Sequence, residues 1–156
     1  MAKQNSGKDN IYMRLGDTYL VLAESENELN GATSVAYDAV NAIRNRAQLA
    51  DLPEGFDQEE LRQAIRKEIG IELVGEMVGR KMDLIRWGIL EETVLGLPAR
   101  EAVAQQNPLV SSAYKTRATY YSNSCATKFS EKWNHFPIPG GEIQRNPNLV
   151  QNPLWK

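Results

Sequence analysis

From Tyr12 to Leu29 the apolar side chains return every three or four residues, and Gly31 then interrupts the pattern. Tyr12, Leu15, Tyr19, Leu22, Glu26 and Leu29 fall near one stripe, which Met13, Leu20 and Ala23 widen, so the spacing predicts an amphipathic helix over 10–30. Glycine takes the left-handed geometry that ends many helices, which makes Gly31 the stop. A second helix is expected over 34–49, with Ala36, Val40, Ile43 and Ala47 inward and Pro53 beyond its end. The link Asn30-Gly31-Ala32 is short enough to make the two helices antiparallel neighbours.

Asp57-x-x-Glu60 has the spacing of a capping box, and Leu61, Ile65, Ile69, Leu73 and Met77 carry a third helical stripe behind it. Gly70, Gly75 and Gly79 weaken its later half, each by up to about 1 kcal/mol relative to alanine, which predicts a bend or break near Gly79. A fourth helix is expected over 80–93. Beyond Gly96 the periodicity fades, and the Ser/Thr/Tyr-rich stretch reads as a short helix over 100–106 followed mostly by loop. Four of the seven prolines lie after His135, so the tail is expected to be an extended strap over the helices. The chain as a whole is expected to be all-α, with a helical hairpin, further helices, a long irregular loop and a proline-rich C-terminal strap.

At 156 residues, 42% of them hydrophobic, the chain is long enough for one domain with its own core. Residues 1–9 are expected to be a disordered leader and 10–156 the domain. The 18 Lys and Arg nearly balance 20 Asp and Glu, with no run of one sign, which argues against a nucleic-acid partner. Nothing approaches the roughly 18 apolar residues of a membrane span. Cys125 is the one cysteine, so it supplies neither an internal disulfide nor a cysteine cage for a metal.

The search for catalytic groups returns mostly negatives. A hydrolytic triad needs a base, yet the one histidine, His135, stands just before Phe136-Pro137 in the expected strap. No glycine-rich phosphate loop, His-x-x-x-His pair or closely spaced Asp ladder is present, so no cofactor or metal is expected. Glu68, Glu72, Glu76 and Asp83 are the plausible acid–base groups, but Arg80 follows Glu76 by four and Arg86 follows Asp83 by three, the separations of helix ion pairs. The structural reading is preferred and no enzyme is expected.

Tyr12-x2-Leu15-Gly16-x2-Tyr19, with Ala36-x3-Val40-x2-Ile43 after it, has the spacing of a tetratricopeptide repeat, although no second copy follows at a fixed period. A more specific likeness lies in five ordered blocks. They are Tyr12-Met-Arg-Leu-Gly-Asp-Thr-Tyr running on to Asn27, Ala42-Ile-Arg-Asn-Arg-Ala47, Arg66-Lys-Glu-Ile-Gly-Ile-Glu-Leu73, Arg80-Lys-Met-Asp-Leu-Ile-Arg-Trp-Gly88, and Phe136-Pro-Ile-Pro-Gly-Gly-Glu-Ile143 through Pro153. Together they closely resemble the C-terminal region of the SusD/RagB family of outer-membrane nutrient-binding lipoproteins. Gly70, where a basic residue is expected, and the longer link from Glu76 to Arg80 depart from the pattern.

The resemblance implies a helical, tetratricopeptide-like, non-enzymatic protein of Bacteroidetes. Such proteins capture glycans or other nutrients at the cell surface and pass them to a SusC-like TonB-dependent transporter. It also implies membrane attachment only through a lipid anchor that this chain does not carry, since Cys125 has no lipobox around it. The other reading of the helical hairpin is an adaptor that binds a peptide or protein partner. Within these residues, sugar stacking points to Tyr120, Tyr121 and Trp133, with Tyr114 nearby; the alternative is that these aromatics seal a loop onto the helices. Trp87 is expected in the core, and Trp155 is expected to pin the tail.

Overall fold

Residues 12–76 and 79–156 are described in a computed structural model of the chain, and they contain helices and turns without strands. The first helix, α1, spans Leu15–Asn30, α2 Ser34–Arg46 and α3 Gln58–Glu72. Then follow α4 over Gly79–Arg86, α5 over Leu90–Leu95, α6 over Leu97–Ala104, α7 over Ser112–Thr127 and α8 over Gly140–Arg145. The chain divides into two compact units, Met1–Arg80 and Lys81–Lys156. Of the expected leader and the start of the first helix, residues 1–11 lie outside the described residues, as does Met77.

In the first unit α1 packs against both α2 and α3. Its helix begins at Leu15 rather than before Tyr12, because Arg14 takes an extended N-cap conformation and its own N–H is accepted by Asp17, 2.8 Å away. Gly31 ends α1 as expected, at φ +83° with its N–H bonded to the Asn27 carbonyl. Thr33 caps α2 by accepting from the Ala36 N–H, while its hydroxyl donates to Glu26, which also accepts from Asn30. These side chains bond the linker locally and hold the turn closed.

The buried face of α1 differs from the expected one. Leu20, Ala23 and Asn27 are buried, whereas Tyr12, Leu15, Leu22 and Leu29 are exposed. Apolar residues cover two faces of this helix, so spacing alone could not choose; packing on α2 and α3 covers Leu20, Ala23 and Asn27, and that settles the face. On α2, Ala36, Val40 and Ile43 point inward as expected, but the helix stops at Arg46 and Ala47 is exposed.

The capping box on α3 forms with both halves in place, Asp57 accepting from the Glu60 N–H at 2.8 Å and Glu60 from the Asp57 N–H at 2.9 Å. Leu61, Ile65 and Ile69 are buried behind it. Each buried side chain of this size contributes about 1.5–3 kcal/mol, so α3 supplies a large part of this core. The break comes earlier than Gly79: α3 ends at Glu72 and Gly75 has φ +78°, a conformation that costs glycine little.

The second unit holds the larger departures. The single helix expected over 80–93 is two, α4 and α5, because Gly88 turns the chain at φ +69°. Where mostly loop was expected, α7 runs for 16 residues. Ser122 is its one buried residue, so no apolar stripe marked it; α7 packs on α6 and α5, and Gln105 just beyond α6 donates to the Lys115 carbonyl at 2.9 Å. Ser111 accepts from the Tyr114 N–H, and the hydroxyls of Thr116, Thr119, Ser122 and Thr127 bond back to carbonyls three or four residues earlier, which removes their competition with the helix. The tail is not wholly extended either, since it contains α8 and a 3-10 turn at Pro153–Trp155. Trp155 does pin it: its indole N–H donates to the carbonyls of Lys132 and His135 at 3.2 and 3.1 Å.

Candidate functional site

The carboxylates singled out in the sequence are held by arginines. In the first unit Glu72 meets both Arg14 and Arg46, Glu76 accepts from Arg14 Nε at 2.9 and 3.0 Å, and Glu68 pairs with Arg44 at 3.0 Å. The Arg14 hydrogen bond pulls the Glu76 carboxyl below its ordinary range, and the Arg14 guanidinium is raised by its bonds first to Glu76 and then to Glu72. In the second unit Asp83 pairs with Arg86 at 3.0 Å, as the three-residue spacing predicts. Glu76 pairs with Arg14, 62 residues away in sequence, whereas a four-residue partner, Arg80, was expected. Among the described residues no group of three or more His, Cys, Asp and Glu side chains could hold a metal ion.

A concavity of about 430 Å³ lies in the second unit. Its apolar wall comes from Leu90 and Val94, one turn apart on α5, and from Phe129 just after α7. Ser124, Cys125 and Lys128 face it from the last turns of α7, Lys81 from α4, and Trp133 from a 3-10 turn over Glu131–Asn134. The Trp133 indole donates to the Lys128 carbonyl at 3.3 Å and its ring meets that of Trp155 edge to face at 5.5 Å. Lys132 Nζ stands 5.2 Å from the Trp133 ring and 5.1 Å from the Trp155 ring; Lys81 Nζ stands 5.9 Å from Trp133 and 4.8 Å from Phe136. Ammonium groups at these distances are attracted to the ring faces, which orients both lysines toward the aromatic cluster.

Of the three aromatic residues proposed from the sequence, Trp133 lines this cavity and remains 39% exposed. Tyr120 and Tyr121 form an exposed edge-to-face pair, centroids 5.5 Å apart. Tyr114 is exposed too. Sequence reasoning missed Lys81, Leu90, Val94, Ser124, Cys125, Lys128 and Phe129. The spacing of Leu90 and Val94 marked a shared helical face, but nothing local said that α7 would lie opposite. His135 contributes a backbone carbonyl to Trp155. Trp87 is half-buried, with the Arg86 guanidinium 4.9 Å from its ring.

The family model for the SusD family matches residues 1–155. SusD-like protein P25 of Formosa agariphila is 43% identical over 151 residues, which is 95% of this chain and 24% of that protein. SusD-like protein P2 of the same organism is 28% identical over 95% of this chain and 27% of its own length. The crystal structure of a SusD homolog from Bacteroides thetaiotaomicron superposes with a TM-score of 0.70 at 33% identity, covering 94% of this chain and 27% of that one. A SusD superfamily protein from Bacteroides vulgatus gives 0.63 at 27% identity, over 92% and 27%. This chain therefore spans about a quarter of the length of the relatives it matches. With the family model aligned across nearly every residue, a relative at 43% identity and the helical architecture shared, the chain belongs to the SusD family.

Proposed function

We propose that this chain is the C-terminal part of a SusD-like lipoprotein that captures glycans at the bacterial outer membrane and delivers them to a SusC-like TonB-dependent transporter. In this reading it binds and does not catalyse. Glu68, Glu72, Glu76 and Asp83, the carboxylates suited to acid–base work, each spend their charge on an arginine. Attachment to the membrane is through a lipid anchor, consistent with the finding that no described helix is long and apolar enough to cross a bilayer.

The observation that carries the reading is Trp133, a partly exposed indole at the edge of the second-unit cavity with Ser124 and two lysines around it. Sugars present C–H faces that stack on such rings, while hydroxyl groups bond to neighbouring polar side chains. Tyr120 and Tyr121 add exposed rings on α7. Isothermal titration of this chain, beside the full-length parent, against soluble oligo- and polysaccharides tests it. Binding by both that weakens in Trp133→Ala supports a site here; binding by the parent alone leaves these residues as scaffold.

A second reading, an adaptor for a protein or peptide partner, is favoured by one feature. Leu15, Leu22 and Leu29 recur every seven residues on α1 and are 69%, 45% and 81% exposed. Such a stripe suits the apolar face of a helix. Binding of an amphipathic helical peptide that is lost on Leu22→Glu, with silence toward glycans from chain and parent alike, supports that role.

A further inference from the structure

The two units treat their cations differently. In the first, Arg14, Arg44, Arg46 and Arg62 are all engaged by carboxylates. In the second, Arg86 and Arg145 pair with Asp83 and Glu142, but Lys81, Arg117, Lys128 and Lys132 form no ion pair among the described residues. The sequence supplies the reason: from residue 102 to residue 130 there is no Asp or Glu at all, while Lys115, Arg117 and Lys128 fall inside that stretch. In a chain with a net charge of −2, this is a locally positive surface.

Helical spacing arranges these groups. Tyr114, Tyr121 and Lys128 are seven residues apart on or just beyond α7, and Arg117 and Ser124 occupy the intervening turns, so the five share one face. Tyr114, Arg117, Tyr121 and Lys128 are exposed. With a rise of 1.5 Å per residue the stripe is about 21 Å long. Its C-terminal end is the cavity wall, because Ser124, Cys125 and Lys128 line the space that Trp133 and Lys81 close from the other side. None of the residues lining that space is a carboxylate.

Aromatic faces alternate with cations along this track. A neutral sugar chain uses the rings and leaves the cations idle. A sugar chain with acidic substituents uses both: its C–H faces lie on Tyr114, Tyr121 and Trp133 while its anions meet Arg117, Lys128 and Lys81. We propose that the α7 stripe and the Lys81–Trp133 cavity at its end bind an anionic oligosaccharide, a chain of rings carrying carboxylate or sulfate groups. This rests on the glycan-binding reading above and specifies its ligand class.

The test is titration calorimetry of this chain with three soluble oligosaccharides matched in length: a neutral glucan, a polyuronate and a sulfated glycan. Each is run at about 0.05 M and about 0.5 M NaCl, where screening lengths differ severalfold. The acidic ligands are expected to bind about tenfold tighter than the glucan at low salt, and to lose that margin at high salt. Exposed charge contacts are worth a modest amount each, so Arg117→Gln and Lys128→Gln are each expected to weaken acidic ligands roughly two- to fivefold and to leave the glucan unchanged. Both positions are exposed, and unchanged circular dichroism and melting confirm intact folding. Preference for the uronate assigns carboxylate as the recognised group, and preference for the sulfated chain assigns sulfate. Equal binding of the neutral glucan, or parental affinity in both variants, overturns the anionic assignment and leaves glycan binding standing. Silence of this chain toward all three overturns the site assigned here, and silence from the full-length parent as well overturns the glycan reading.

Discussion

Arg14 holds Glu72: its Nη2 donates to the Glu72 backbone carbonyl at 2.7 Å while Nη1 pairs with the Glu72 carboxylate. The residue that caps the start of α1 thus closes the end of α3, satisfying a carbonyl that the last helical turn leaves open and placing a cation where the helix dipole is negative. Gly16 makes room for it, since a side-chain carbon there would collide with the Arg14 guanidinium and stand 3.0 Å from Glu72 Oε1. Arg14→Met is expected to cost about 1–3 kcal/mol, because Glu72 is left 9% exposed with part of its compensation gone. Arg14→Lys restores less than half, as an ammonium cannot reach the carbonyl and both carboxylates in one plane. Urea denaturation of the three proteins measures this; equal midpoints for parent and Arg14→Met would show that the fork carries no net stability.

Asn27 is 1% exposed and locks α1 to the start of α3 by a reciprocal pair of bonds. Its Nδ2 donates to the Gln58 carbonyl at 3.0 Å, and its own carbonyl accepts from Gln58 Nε2 at 2.6 Å. Asn27→Ala is expected to cost about 1–3 kcal/mol by removing the Nδ2 bond to α3 and emptying the space of a fully buried side chain. Asn27→Asp is expected to cost more, since it replaces the donor with a charge in the core. Thermal melts rank the two, and an Asp variant as stable as the Ala variant would contradict the assignment.

Acid sensitivity follows from the lowered carboxyls. Glu28 is held below its ordinary value by the Arg62 hydrogen bond and Glu76 by that of Arg14. A carboxyl whose folded pKa lies below its unfolded one stabilises the fold above the unfolded value, 4.5 here, and that contribution is lost as pH falls through the folded value. The melting midpoint is therefore expected to be flat from neutrality down to about pH 5 and to fall below about pH 4.5. Glu28→Gln and Glu76→Gln each lower the plateau and flatten the decline; a decline as steep in the double variant as in the parent would assign the acid transition elsewhere.

Trp155 joins the tail to the Trp133 turn through two indole hydrogen bonds and an edge-to-face contact at 85°. Trp155→Ala is expected to cost about 1–3 kcal/mol in the second unit and to loosen Trp133, seen as a red shift and easier quenching of its fluorescence. Removing everything from His135 onward is expected to give an aggregating protein. A soluble truncation product that melts cooperatively in that unit would show the tail to be dispensable.

Much of the architecture could be read from local signals alone. Gly31 ends α1 and Asp57 with Glu60 starts α3 because caps and left-handed positions are decided within four residues of chain. The buried stripe of α3 was equally clear, having one apolar face against a charged one. Of the site, the sequence singled out Trp133, which lines the cavity, and Tyr120 and Tyr121, which stand on α7 outside its lining.

What the tertiary structure decided were the choices that local chemistry leaves degenerate. Both faces of α1 carry leucines, and only packing on α2 and α3 selects Leu20 over Leu22. The Ser/Thr-rich α7 has no periodic stripe, so its cap at Ser111 and its packing on α5 and α6 decide the helix. Glu76 could bond to a neighbour one turn away or to Arg14 across 62 residues, and the juxtaposition of two helix ends chose Arg14. The cavity exists because α4, α5, α7 and the Trp133 turn bring together side chains up to 52 residues apart, from Lys81 to Trp133. Pattern along a helix fixes where a side chain stands on that helix; what it touches depends on which other helix arrives.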